Sequence, residues 1–366
     1  MDERKLRIAI THGDTNGIGY QIIFKTFGEQ EMLDLCTPIV YGSPKVAAYY
    51  RKLLDANVIT PIINSADAAQ DGKLNLLTCF ENEVKVETGV PTAESAKAGE
   101  KALQRALADV REGKVDALVV MPMTGSEWVD QTGKPVSRNQ YIKQHAGGDA
   151  AISTILVSNR LRMLLATDGI AMSSVAEQLS KEALEAKLTA FHTALKRDFC
   201  HSNPRLALLA YNPDGQGKEE TEVLQPLIEE LQEKGISVFG PYTAATFFGQ
   251  RQYEAFDGVV ALYGDQGLVS MSLLASGEEY TLLTGLPVAC TSPMIDNLFA
   301  HVGEESVDEN PLRQAIYAAI DAARNRVVYD EATKNPLPKL FHERRDDSEK
   351  VRFAMPKRRE DAAPKE

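Results

Sequence analysis

The sequence is poor in cysteine, tryptophan and positive charge. Four cysteines, Cys36, Cys79, Cys200 and Cys290, are scattered through 366 residues with no C-x-x-C pair. That spacing argues against a disulfide framework or a cysteine zinc site and fits reduced thiols in a cytoplasmic protein. Lysine plus arginine number 40 against 52 aspartate plus glutamate, a formal net charge of -12. An acidic balance argues against nucleic-acid and anionic-membrane partners. No apolar run is long enough to span a bilayer, and the opening MDERKLRIAI lacks the apolar stretch of a secretory leader. Phosphate fingerprints are missing too. After the first apolar run the glycines stand at Gly13, Gly17 and Gly19, in the order G-x-x-x-G-x-G. A dinucleotide fold needs G-x-G-x-x-G there, and a P-loop needs Gly-Lys-Ser/Thr.

What is present is an alternation. At 43% hydrophobic the chain can bury a large core, and its length suits two domains or one large α/β unit. Strands are expected at 6–10, 38–41, 117–121, 161–166, 206–211, 236–240 and 258–263. Amphipathic helices are expected at 20–27, 93–112, 181–196, 220–233 and 310–326. In the fourth of these, Leu224, Leu227, Ile228 and Leu231 recur at i, i+3, i+4 and i+7. This alternation argues for α/β architecture with a largely parallel or mixed sheet. The stretch 125–148 is polar and is expected to be an irregular crossover between domains. The tail from His342 onward is dense in charge and reads as a solvated extension.

Five loops follow apolar runs, and in α/β proteins such loops carry the ligand site. The first, Thr11-His12-Gly13-Asp14-Thr15-Asn16, is either a ligand-facing loop or a tight connection with glycines at positive φ. The others are Asp168-Gly169, Asn212-Pro213-Asp214-Gly215, Gly264-Asp265-Gln266-Gly267, and the Gly285-Leu286-Pro287 to Thr291-Ser292 segment. Converging on one cleft, Asp168, Asp214 and Asp265 could hold a hard divalent cation, or could each serve a turn. No Ser-His-Asp or Cys-His arrangement is readable, and Cys290 reads as a small buried hydrophobe.

Taken in order, T-H-G-D-x-N-G-I-G, N-P-x-x-G, Y-x-D-Q-G-L, T-x-G-L-P and T-S-P resemble the NAD-dependent 4-hydroxythreonine-4-phosphate dehydrogenase family of pyridoxal phosphate biosynthesis. The likeness runs over roughly residues 5–326. It implies two α/β/α domains with a cleft between them, as in isocitrate and isopropylmalate dehydrogenases. Residues 1–137 plus 300–340 would form the first domain and 138–299 the second, leaving 341–366 as the tail. It further implies a homodimer, an NAD site without a Rossmann fingerprint, and a divalent metal (Zn, Mg or Co). The cleft would include Thr11, His12, Gly13, Asp14, Asn16, Arg138, Asn139, Asp265, Thr291 and Ser292, with Asn212, Gln266, Gly285 and Pro287 as coenzyme candidates and Asp14 and Asp265 as catalytic candidates.

The same resemblance exposes losses. The family's three metal-binding histidines fall at Gly169, Asp214 and Gly264. Its phosphate-site G-H-T-E reads Ser137-Arg138-Asn139-Gln140, its lysine after D-Q-G-L is Ser272, its asparagine before G-L-P is Thr281, and its arginine before T-S is Cys290. A basic residue falls at Gly125, an aspartate at Ala245, and the turn after T-S reads Met294-Ile295-Asp296-Asn297. Glycines and scaffold positions match while the chemical groups differ. The expectation is a diverged relative that does not bind the metal and lacks the parent activity, a pseudoenzyme that binds a small ligand or pairs with a catalytic paralogue. The alternative is an active NAD-dependent oxidoreductase on the CH-OH group of a different, non-phosphorylated substrate.

Overall fold

In a computed structural model the protein is described at residues 4–80, 84–124, 128–129, 132–134, 136–147, 151–274 and 277–335. The charged tail and Gly125 lie outside the described residues. Twelve strands form one sheet. They are β1 (Arg7–Thr11), β2 (Thr37–Gly42), β3 (Ile62–Ile63), β4 (Asn75–Thr78), β5 (Ala117–Val119), β6 (Thr154–Val157), β7 (Arg162–Leu165), β8 (Leu206–Leu209), β9 (Val238–Tyr242), β10 (Gly258–Ala261), β11 (Tyr280–Leu283) and β12 (Ala289–Pro293). Their order is β3-β4-β2-β1-β5-β12-β11-β6-β7-β10-β8-β9. All seven expected strands are present, with edges shifted by at most two residues. β3, β4, β6, β11 and β12 are not among the expected strands.

Strand direction decides where loops meet. β1, β2, β4, β5 and β12 are mutually parallel, and β12 meets β11 antiparallel. β11 and β7 both run antiparallel to β6, and β7, β10, β8 and β9 are parallel. The carboxyl ends of β7, β8, β10 and β11 therefore share one edge of the sheet with the amino ends of β1, β5 and β12. The loop after β1 leaves from the opposite edge. The sheet also runs without interruption across the boundary at 299/300, because β12 pairs with β5.

Both faces are covered by helices, which buries the strands on both sides and explains their continuous apolar runs. One face packs helices Gly19–Phe27, Lys181–Arg197, Gln225–Glu233 and Asn310–Thr333 in a single apolar layer spanning the sheet, from Ile10 and Val119 to Leu164, Leu208 and Val260. The other face is split. Ala9, Leu118, Leu283 and Cys290 pack with helices Ala93–Arg111 and Arg138–Ala146, and Leu165, Leu209 and Ala261 pack with Phe247 and Met271. Helix Arg138–Ala146 corrects the expected irregular crossover. It starts on a capping box in which Ser137 Oγ accepts from Gln140 N and Gln140 Oε1 accepts from Ser137 N. The stretch 220–233 opens as a π-helical segment, Glu219–Leu224, before its α-helix, and the terminal helix runs to Thr333, beyond its expected end. No helix among the described residues is long and apolar enough to cross a membrane.

Candidate functional site

The edge shared by the ends of β7, β8 and β10 is tied together by the residues the motifs retain. Thr167 Oγ1 donates to Leu262 O at 2.7 Å, linking β7 to β10. Gln266 accepts from Leu262 N at 2.8 Å and donates to Ala210 O at 2.8 Å, linking β10 to β8. Asn212 donates through its backbone N–H and Nδ2 to the fully buried Glu220 carboxylate, both at 2.7 Å. Gly267 is glycine because a Cβ there would lie 2.5 Å from Leu165 Cδ2. Each tie satisfies a buried polar group that would otherwise cost about 1–3 kcal/mol. Retention of Thr167, Asn212, Gln266 and Gly267 therefore needs no chemistry to explain it.

Between these ties lies a cavity of about 110 Å³, lined by Thr167, Gly169, Ile170, Met172, Val175, Tyr263, Gly264 and Asp265. Gly169 and Gly264 face it with no side chain, and Ile170 and Met172 bring apolar surface to its mouth. Asp214 is exposed, and its Oδ1 accepts from Gln216 N at 3.1 Å, the Asx turn its sequence suggested. Asp168 is also exposed, and its Oδ2 accepts from Thr154 Oγ1 at 3.1 Å. Among the described residues no three His, Cys, Asp or Glu side chains form a group able to hold a metal ion, so the three-aspartate cation site is not assembled. The donor set at Gly169, Asp214 and Gly264 is one carboxylate beside two side chains without donors, which does not fit a divalent metal.

Next to this cavity, on the face carrying helix Arg138–Ala146, Asn139 Nδ2 donates to Thr154 Oγ1 at 2.9 Å. Asn139 Oδ1 is buried and has no hydrogen-bond partner. Arg138 lies beside it, and burial lowers its pKa from the usual arginine value, with Cys290 and Asp168 acting in the opposite sense. Lys187 comes from the helix on the other face, its ammonium on Ala166 O, with burial lowering its pKa and Asp168 raising it. Cys290 is buried and its thiol is pushed up to about 12 by burial, so it is protonated and no nucleophile.

The first loop does not join this group. Thr11, His12, Gly13, Asp14, Thr15 and Asn16 are all buried, at the opposite sheet edge. The expectation that strand-end loops converge on one cleft fails here, because β7 to β11 run against β1. Of the two readings of the loop, this packing matches the tight connection. Gly13 has φ +76° and a Cβ there would meet Pro122 O at 2.6 Å, and one on Gly19 would lie 2.0 Å from His12 O. Asp14 Oδ1 accepts from Asn16 N at 2.9 Å while Oδ2 has no partner, and burial raises its pKa. Thr291 and Ser292 are buried in β12, donating to Ala315 O and Val120 O at 2.8 and 2.6 Å. Gly285 and Pro287 sit apart, in a groove of about 670 Å³ beside helix Lys181–Arg197. The buried Glu220 and the unpaired Asn139 oxygen were not legible in the sequence. Only the E-E spacing after the N-P turn hints at the first.

A helix-covered, mixed sheet whose strand-end loops frame a small cavity defines an α/β protein, and comparison with known proteins makes the class specific. Residues 34–319 match the family described as pyridoxal phosphate biosynthetic protein PdxA. Over 358 residues the chain is 42% identical to a 4-hydroxythreonine-4-phosphate dehydrogenase of Bacteroides thetaiotaomicron, covering 96% of this chain and 98% of that one. It is 28% identical over 326 residues to the enzyme of the same name from a Sulfurihydrogenibium species, covering 88% and 99%. The solved structure of a Klebsiella pneumoniae 4-hydroxythreonine-4-phosphate dehydrogenase shares the fold with a TM-score of 0.72 at 22% identity, over 87% of this chain and 99% of that one. The chain belongs to the PdxA family.

Proposed function

We propose that this protein is a PdxA-family member that has lost the parent dehydrogenase reaction and keeps the strand-end edge as a site for a small ligand. The observation that carries the reading is the contrast at that edge. The retained Thr167, Asn212 and Gln266 make structural ties there and the retained Asp265 lines the cavity, while the positions assigned to metal ligands are Gly169, Asp214 and Gly264. The family chemistry uses a divalent metal as a Lewis acid on the substrate hydroxyl, and one carboxylate between two glycines cannot supply that site. The assignment of 1–137 plus 300–340 and 138–299 as two domains, and of a homodimer or a pair with a catalytic paralogue, belongs to the same proposal.

The second reading, an NAD-dependent oxidoreductase on another substrate, is favoured by one observation. The Asp14 carboxylate is buried with an unpaired oxygen and a raised pKa, the condition of a general acid or base. Its place at the far sheet edge counts against it. Calorimetric titration with NAD⁺ and NADH, with and without Zn²⁺ or Mg²⁺, separates the two. Absence of binding supports the first reading, and micromolar binding supports the second.

A further inference from the structure

We propose that the chain's own segment 350–360, KVRFAMPKRRE, docks in the groove between helix Lys181–Arg197 and the terminal helix. The inference goes beyond the functional reading above and does not rest on it.

The groove holds about 670 Å³, within the range of ligand clefts. Helix Lys181–Arg197 buries Leu184, Leu188, Phe191 and Leu195 and turns Ala186, Thr189, Ala190 and Thr193 to the groove. These small residues stand at i, i+3, i+4 and i+7, on one helix face, so a second stretch of chain can approach closely. Leu286 and Pro287 add apolar surface. Most of the charged groups lining it are already paired, Arg326 with Asp198, Arg197 with Asp330 and Glu185 with Lys234. Glu182 also lines the groove, is exposed, and has no ion pair to any described residue.

The end of the chain points to the occupant. Arg326 lines the groove, and the terminal helix stops at Thr333, so the last described residue, 335, lies about 13 Å further along. From there to Val351 the chain can reach up to about 55 Å, which brings the groove well within range. Val327 and Val328, on the last turns of the same helix, are more than half exposed and extend the apolar surface next to Arg326. Beyond His342 the large apolar residues are Val351, Phe353 and Met355 alone. At alternate positions, they would share one side of an extended segment. Lys357-Arg358-Arg359 follows, the only run of three consecutive cations in a chain of net charge -12. The apolar side chains suit the Ala, Leu and Pro lining, and the cations suit Glu182. Attachment to the same chain supplies a high effective concentration, so contacts of modest strength are enough.

The test uses the full chain. A fluorescein-labelled peptide of residues 350–360 is titrated, with anisotropy as the readout, into the wild type and into a variant carrying Val351→Ser, Phe353→Ser and Met355→Ser. The variant should bind the peptide, and the wild type should bind it at least about tenfold more weakly because its own segment holds the groove. Thr189→Arg, added to that variant, puts bulk and positive charge at an exposed groove position. It should abolish peptide binding and leave the melting temperature unchanged. Independently, a benzophenone photo-crosslinker in place of Phe353 should link to residues 186–193 or 285–287 of the same chain, and this decides the matter if the Thr189→Arg chain does not fold. Binding by neither protein, equal binding by both, peptide binding untouched by Thr189→Arg, crosslinks to other regions, or crosslinks only between two copies of the chain would each overturn the proposal.

Discussion

His12 is buried against the rings of Tyr20 and Phe80, at 5.1 and 6.2 Å between centroids, with neither ring nitrogen hydrogen-bonded. Burial pushes its pKa down to about 4. In the unfolded chain the imidazole titrates near about 6.5. Between these values the unfolded state binds the extra proton, so stability rises with pH across that window. The contribution is complete above about pH 6.5 and is lost as the pH falls toward 4, by about 3 kcal/mol in all. Urea unfolding near neutral pH and near pH 4.5 should show the loss, and His12→Phe should remove that part of it. An unchanged slope in the variant would contradict the assignment. Gly19→Ala tests the same loop sterically. Its Cβ would press on His12 O, and the expected cost is about 2–3 kcal/mol in denaturant unfolding.

At the scale of elements, the terminal helix is held to helix Lys181–Arg197 by ion pairs. Arg326 meets Asp198 in a buried two-pronged pair at 2.6 and 3.1 Å and also donates to Leu286 O at 3.1 Å. Arg197 pairs with Asp330 nearby, on the surface. Removing one partner of the buried pair leaves an uncompensated charge, so Arg326→Met should cost about 3–5 kcal/mol, while Arg326→Met with Asp198→Leu should cost less than Arg326→Met alone. Denaturant unfolding of the two variants checks this, and a double variant as unstable as the single one would contradict it. The helices themselves were readable, since Leu184, Leu188, Phe191 and Leu195 repeat at helical spacing along the buried face. The tether was not, because Asp198 and Arg326 are ordinary surface residue types until the fold brings them together. The π-helical turn at Glu219–Leu224 was hidden for a similar reason. Its buried Glu220 answers to Asn212, a partner outside its own helix.

For the whole molecule, the α/β class was legible because alternating apolar runs and amphipathic helices leave few other architectures. The direction of the strands was not. Periodicity is the same for a strand running either way, and the antiparallel β6, β11 and β12 reverse the second half of the sheet. That reversal separates Thr11–Asn16 from Asp168, Asp214 and Asp265, which motif order alone had placed in one cleft. The residue types at Gly169, Asp214 and Gly264 were visible in the sequence, and the structure adds what the neighbouring motif residues do: Thr167, Asn212 and Gln266 tie the ends of β7, β8 and β10. The most direct test of the account is NADH formation from 4-hydroxythreonine 4-phosphate and NAD⁺, measured with added Zn²⁺, Mg²⁺ or Co²⁺ and again with a chelator. The account predicts no NADH above the buffer rate in any of these conditions. Metal-dependent turnover that the chelator abolishes would contradict it.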